Sequence, residues 1–133
     1  MKMKDTGNVI FSTISNGRVR VKLEVNHFRK VDGSLTTYEL TDGTGMEILS
    51  LIPDQFIEEK IAAYADRRFV RGLYDIYHLT KSYKIMISTR MHLKQFLHTV
   101  QRPVDEPILR SIVYIGLAPT FDRMFDGIRR NIE

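Results

Sequence analysis

The feature that most constrains how this chain can fold is a change of hydrophobic period at Pro53. Before it, apolar residues alternate in twos; after it, they recur every three to four positions. In residues 18–26, RVRVKLEVN, the apolar Val19, Val21, Leu23 and Val25 alternate with Arg20, Lys22, Glu24 and Asn26, the pattern of a strand with one buried face, from which Glu24 points away. Residues 8–14, NVIFSTI, precede it across Ser15-Asn16-Gly17. Asn-Gly tolerates the positive φ of a tight turn, so a β-hairpin is predicted first. Residues 34–40, SLTTYEL, and 45–51, GMEILSL, read as two further strands, with Asp32-Gly33 and Asp42-Gly43-Thr44-Gly45 as turns.

From Pro53 onward the reading is helical. Proline is tolerated in a first turn, and Asp54, Glu58 and Glu59 suit the positive end of a helix dipole. Phe56, Ile57, Ile61 and Tyr64 form the apolar stripe of this helix. A second helix at about 71–81 turns Leu73, Ile76 and Tyr77 inward, and after a break at 82–88 a third spans 89–101 through Leu93, Phe96, Leu97 and Val100. Pro103 and Pro107 then punctuate the chain, and 107–116 and 119–131 read as the last two helices. In the final one Phe121, Met124, Phe125 and Ile128 stand at i, i+3, i+4 and i+7. Strands first and helices after predict an α+β fold. Its antiparallel or mixed strands occupy 1–52, its four to five helices occupy 53–133, and the whole is expected as one compact domain.

At 133 residues and 43% apolar content there is material for a real core. No apolar run approaches the roughly 20 residues of a spanning helix, and the opening MKMKDTGNV lacks the hydrophobic stretch of a secretory signal. A cytoplasmic protein with no membrane partner is therefore expected. The absence of cysteine excludes disulfides and thiolate metal sites. His27, His78, His92 and His98 are scattered without the i, i+4 spacing and nearby acid of a zinc motif, and no Gly-x-Ser-x-Gly elbow occurs.

The net charge is +4, and the excess sits in residues 53–102, with nine Lys/Arg against five Asp/Glu. A focused positive field raises the local concentration of phosphates or nucleic acid; the plainer reading is a solvated helical face. Lys60 and Arg67, seven residues apart, project from one side of a helix about 10 Å apart along its axis. Arg71 and Asp75, at i and i+4, are placed to pair, leaving the other Arg71 donors for a ligand. A compact lysine charge, a bidentate arginine fork and a carboxylate that restrains the fork suit a triphosphate. The same spacing also describes an ordinary surface pair with Lys60 and Arg67 solvated. Tyr64, Tyr74 and Tyr77 have the faces to stack on bases, although aromatic residues at helical spacing more commonly serve the core.

The run 58–79, EEKIAAYADRRFVRGLYDIYHL, carries a resemblance. Glu59, Lys60, Ile61 and Ala63, then Asp66, Arg67, Arg71, Gly72, Leu73, Tyr74, Asp75 and Ile76, resemble the downstream motifs of the AbiEii/AbiGii nucleotidyltransferase-like toxins, approximately E-K-[LI]-x-A and D-R-x-x-x-R-D-L-Y-D-L. Gly72 stands where that pattern has aspartate. The resemblance implies that Lys60, Arg67 and Arg71 hold the phosphates of an NTP, with Glu24 and Asp75 as catalytic carboxylates. Asp75 would orient Arg71, and Glu24, on the strand VKLEVN, would ligate Mg²⁺. It implies nucleotidyl transfer to RNA, such as tRNA, or to protein, and a protein partner such as an antitoxin. The family's upstream Gly-Ser loop and Asp-x-Asp pair do not occur here; the Asp42–Gly45 stretch follows Glu24 and reads as a turn. The chain is therefore expected to match the C-terminal half to two-thirds of such a protein, incomplete as an isolated chain. The alternative is a non-catalytic module that binds nucleotide or RNA through the same basic helices, or that serves as a partner domain.

Overall fold

The computed structural model describes residues 2–7, 9–26 and 33–133, and its architecture is α+β, with antiparallel strands followed by helices. Asn8 of the first expected strand, His27, and Asp32 of the expected turn before residue 34 lie outside the described residues. Instead of one domain divided at residue 52, the chain separates into two compact units, 1–33 and 34–133. Among the described residues the strands form two separate sheets, and the second sheet runs into the first helix through Leu51 and Ile52 alone.

In the first unit β1 (Lys2–Asp5), β2 (Val9–Ser15) and β3 (Arg20–Asn26) pair antiparallel in that order. The register sets Ile10 against Val25, Ser12 against Leu23 and Ile14 against Val21, so alternation puts these on one face, but that face is not the buried one expected: Val21, Leu23 and Val25 are exposed, because no other described element of this unit covers them. Glu24 lies opposite Phe11 on the other face. The loop between β2 and β3 is wider than a two-residue turn. Asn16 Oδ1 accepts the Arg18 and Val19 N–H groups at 3.1 and 2.9 Å, the Asn16 N–H donates to the Val19 carbonyl at 3.2 Å, and Gly17 takes φ +88°. Strand β1 escapes sequence reading, because a four-residue, charge-rich segment has too short a pattern; backbone pairing with β2 makes it.

The second unit opens with the hairpin β4 (Ser34–Glu39) and β5 (Gly45–Ser50). Its turn is closed by Asp42, whose carboxylate accepts from the Thr44 hydroxyl at 2.6 Å and the Thr44 N–H at 2.9 Å, with Gly43 at φ +82°. Those hydrogen bonds hold the Asp42 carboxyl below its ordinary value. The helices follow as α1 (Pro53–Arg67), α2 (Val70–Ser82), α3 (Ile87–Thr99), α4 (Leu109–Ile112) and α5 (Phe121–Ile132), with a 3₁₀ turn at Glu106–Ile108. The helix expected at 107–116 is only α4 plus that turn. Val113 is already extended and Gly116 sits at φ +82°, a conformation that ends a helix.

Ile57, Tyr64, Val70, Leu73, Ile76, Leu93, Leu109, Met124, Ile128 and Ile132 form the core of this unit. Three helices start on carboxylates supplied by distant segments, because the residues preceding α2 and α3, Phe69 and Met86, have no side-chain acceptor. Asp105 accepts the Val70 N–H at 2.6 Å, Asp54 accepts the Met86 N–H at 2.8 Å, and Glu106 accepts the Phe121 N–H at 2.8 Å. Arg102 ties the last of these together: it donates to Asp122 at 2.6 and 2.8 Å, lies 3.7 Å from Glu106 and sits over the Phe121 ring. Asp122 in particular raises its pKa above the ordinary arginine value.

Helices α2 and α5 approach closely at Gly127. A Cβ there would stand 2.4 Å from Cε2 and 2.9 Å from Cδ2 of Tyr77. Gly127→Ala should therefore destabilise the protein by about 1–3 kcal/mol, since the overpacking outweighs the gain in helix propensity. Urea unfolding of the variant checks this, and unchanged or raised stability would show that the Tyr77 ring moves aside freely.

Candidate phosphate-binding cleft

The connection between α1 and α2 is two residues long. Arg68 ends α1 in the left-handed region, at φ +52°, and three interactions hold it there. Its N–H donates to the Tyr64 carbonyl at 2.8 Å, its guanidinium to Gln101 Oε1 at 2.6 Å, and its carbonyl accepts the Val104 N–H at 3.0 Å. The reversal lays the C-terminal half of α1 beside the start of α2. Gly72 faces α1 here, and a Cβ there would lie 3.6 Å from Tyr64 Cδ2 and 3.9 Å from the Lys60 carbonyl, ordinary contact distances.

These elements enclose a cleft of about 260 Å³ lined by Lys60, Ala63, Tyr64, Arg67, Phe69, Arg71 and Gly72. The three cations singled out by their spacing thus share one cleft, and among the described residues no acidic side chain lines it. The pairing within it differs from expectation. Asp75 binds Lys60, with Nζ 2.6 Å from Oδ2, rather than Arg71. The i, i+4 argument considers one helix at a time, whereas packing α1 on α2 brings an ammonium to the same carboxylate. With both side chains about one-third exposed, at 34% and 30%, this bridge contributes no more than about 1 kcal/mol. Among the described residues Arg67 pairs with its neighbour Asp66, 3.5 Å away and well exposed. Among the described residues no acidic side chain pairs with Arg71, so its planar donors remain available to an anion.

Compared with known proteins, the chain matches no family model, no curated protein and no solved structure.

Spacing does not reveal Phe69, which is half exposed at the cleft wall and presents an aromatic surface beside the cations. Its one local signal is an aromatic residue at a break between two helical periods. The three tyrosines with faces for base stacking pack instead. Tyr64 is 2% exposed and meets the Phe96 ring edge-on at 5.7 Å, Tyr77 abuts Gly127, and Tyr74 contacts the His78 ring at 4.4 Å. His92 Nδ1 lies 2.9 Å from Glu58 Oε1. Glu24 belongs to β3 of the first unit, where it is exposed. Among the described residues no three His, Asp or Glu side chains converge, so the donors described do not by themselves compose a metal centre. No helix among them is long and apolar enough to cross a membrane.

Tyr64 supports the cleft from below, donating its hydroxyl to the Gln101 carbonyl at 2.8 Å. Burial raises its pKa to about 12; Arg68 opposes the shift, and Asp105 and Glu106 add to it. A raised native pKa gives stability that is complete below pH 10 and is lost as pH rises toward 12, because the unfolded chain releases this proton first. The loss attributable to Tyr64 should be about 2–3 kcal/mol by pH 12. Tyr64→Phe should lose about 1 kcal/mol at neutral pH and show a shallower alkaline decline. Urea midpoints at pH 8, 10 and 12 compare the two proteins, and parallel declines would rule Tyr64 out as the source.

Proposed function

We propose that this chain is a nucleotide-binding protein of the AbiEii nucleotidyltransferase-like toxin type, acting in the cytoplasm, and that the α1–α2 cleft holds the phosphates of an NTP. One observation carries the reading: Lys60, Arg67 and Arg71 line one cleft that, among the described residues, has no acidic side chain in its wall. A triphosphate entering it meets the Arg71 fork and two further positive charges, each charge-assisted contact being worth about 1.5–3 kcal/mol. Gly72, in place of the family's aspartate, keeps a carboxylate out of the lining. Phe69 offers a face for the base.

In the enzymatic form of the proposal, nucleotidyl transfer to RNA, such as tRNA, or to protein requires carboxylates and Mg²⁺. When bound, Mg²⁺ would neutralise charge on the phosphates. Glu24 is the ligand that the resemblance offers, and a protein partner such as an antitoxin or a complementary chain would supply further groups. The described residues do not by themselves complete such a centre.

The second reading is a non-catalytic nucleotide- or RNA-binding module. The Lys60–Asp75 bridge supports it, because Asp75 Oδ2 is engaged by the Lys60 ammonium. Incubation with labelled NTPs, Mg²⁺ and tRNA separates the two. Label transferred to RNA or protein by the isolated chain would overturn the binding-only reading, and binding without transfer would overturn autonomous catalysis.

A further inference from the structure

A larger cleft lies elsewhere, between α3 and α5, and is built differently. It encloses about 380 Å³, and its floor is Leu97, Phe125 and Ile132. Lys94, His98 and Arg129 stand around it, and Glu133 also lines it. Lys94 and His98 are four apart on α3, so they lie on the same side of that helix, facing α5. Phe125, Arg129 and Ile132 repeat the same geometry on α5. Arg129 leans on Asp126 of its own helix at 3.2 Å, an exposed contact of small worth that leaves most of its donors unused.

We propose that this cleft binds a small amphiphilic carboxylate of medium chain length. The apolar floor takes the alkyl chain, while Lys94 and Arg129 hold the head group with the His98 ring beside them. Donor chemistry selects the head group: the Lys94 ammonium and the remaining Arg129 N–H groups can form charge-assisted bonds to a carboxylate, whereas an alkylammonium has no acceptor and a neutral ester no anionic one. Size selects its class. The volume falls in the range of small-molecule pockets, roughly 300–1,000 Å³, whereas a stable protein partner engages about 20–30 residues on each side. Seven residues, on α3, on α5 and at the end of α5, form this site.

The test is calorimetry of the full chain with octanoate, methyl octanoate and octylammonium. Octanoate should bind saturably at one site, with methyl octanoate weaker by about tenfold or more and octylammonium weaker still. Lys94→Glu with Arg129→Glu should lower octanoate affinity at least about tenfold, and the neutral Lys94→Gln/Arg129→Gln pair should fall between it and the parent. Lys84→Glu, a charge reversal at an exposed position outside the cleft, should bind octanoate like the parent, and thermal melts of all variants monitor folding. The proposal is overturned if octanoate shows no saturable binding, or if the ester or the ammonium binds as tightly. It is also overturned if the charge pairs change self-association in sedimentation while leaving octanoate affinity untouched, which would make the groove a contact between copies of the chain.

Discussion

Leu73→Ala should lower stability by about 2–5 kcal/mol and the melting temperature by on the order of 10 °C. Leu73 is completely buried in the cluster that holds Ile57, Tyr64, Ile76 and Ile128. Removing its terminal carbons forfeits transfer free energy and leaves a void that packed helices only partly collapse into. The loss is a large fraction of the roughly 5–15 kcal/mol that holds a typical domain together. Leu73 follows Arg71 and Gly72 on the same turn, so its packing also sets how α2 lies along the cleft. Urea unfolding should show a lower midpoint at an unchanged slope. A cost below about 1 kcal/mol would mean that the core described around α2 is wrong.

Asp105→Ala should cost about 2–3 kcal/mol, although Asp105 lies outside the hydrophobic core. Its carboxylate is the acceptor for the Val70 N–H, and Val70 is fully buried, so the truncated variant leaves that donor without its protein partner. The negative charge also faces the positive end of α2. Asp105→Asn, which keeps an acceptor but removes the charge, should recover most of the loss. Equal losses for the two variants would assign the effect to charge alone. Because Arg71 is the next residue along α2, the alanine variant should also weaken anion binding without touching the cleft.

How much the sequence discloses depends on the range of each signal. Period-two alternation in Val19–Val25 and the i, i+3, i+4 stripe from Phe121 are local patterns, and β3 and α5 lie close to the segments those patterns mark. Periodicity places the start of α3 two residues late because its stabilising carboxylate, Asp54, is 32 positions away, and the start of α2 depends on Asp105, 35 positions away. Residues 113–116 read as the end of a helix, yet Tyr114 and Ile115 are both 93% exposed and outside it, because Gly116 adopts a positive φ that composition does not reveal. In the cleft, the common side of Lys60 and Arg67 is visible in the spacing. The partner of Asp75 and the place of Phe69 depend on how α1 and α2 pack, which no single-helix periodicity encodes.

If Lys60, Arg67 and Arg71 form an anion site, isothermal titration calorimetry with ATP shows it. The parent should bind ATP at one site. Arg71→Ala should weaken binding by about 10- to 100-fold, since its guanidinium contributes a charge-assisted contact. Lys60→Ala should weaken it less, because Asp75 already engages that ammonium. Absence of binding by the parent, or parental affinity in both variants, would contradict the assignment of the cleft.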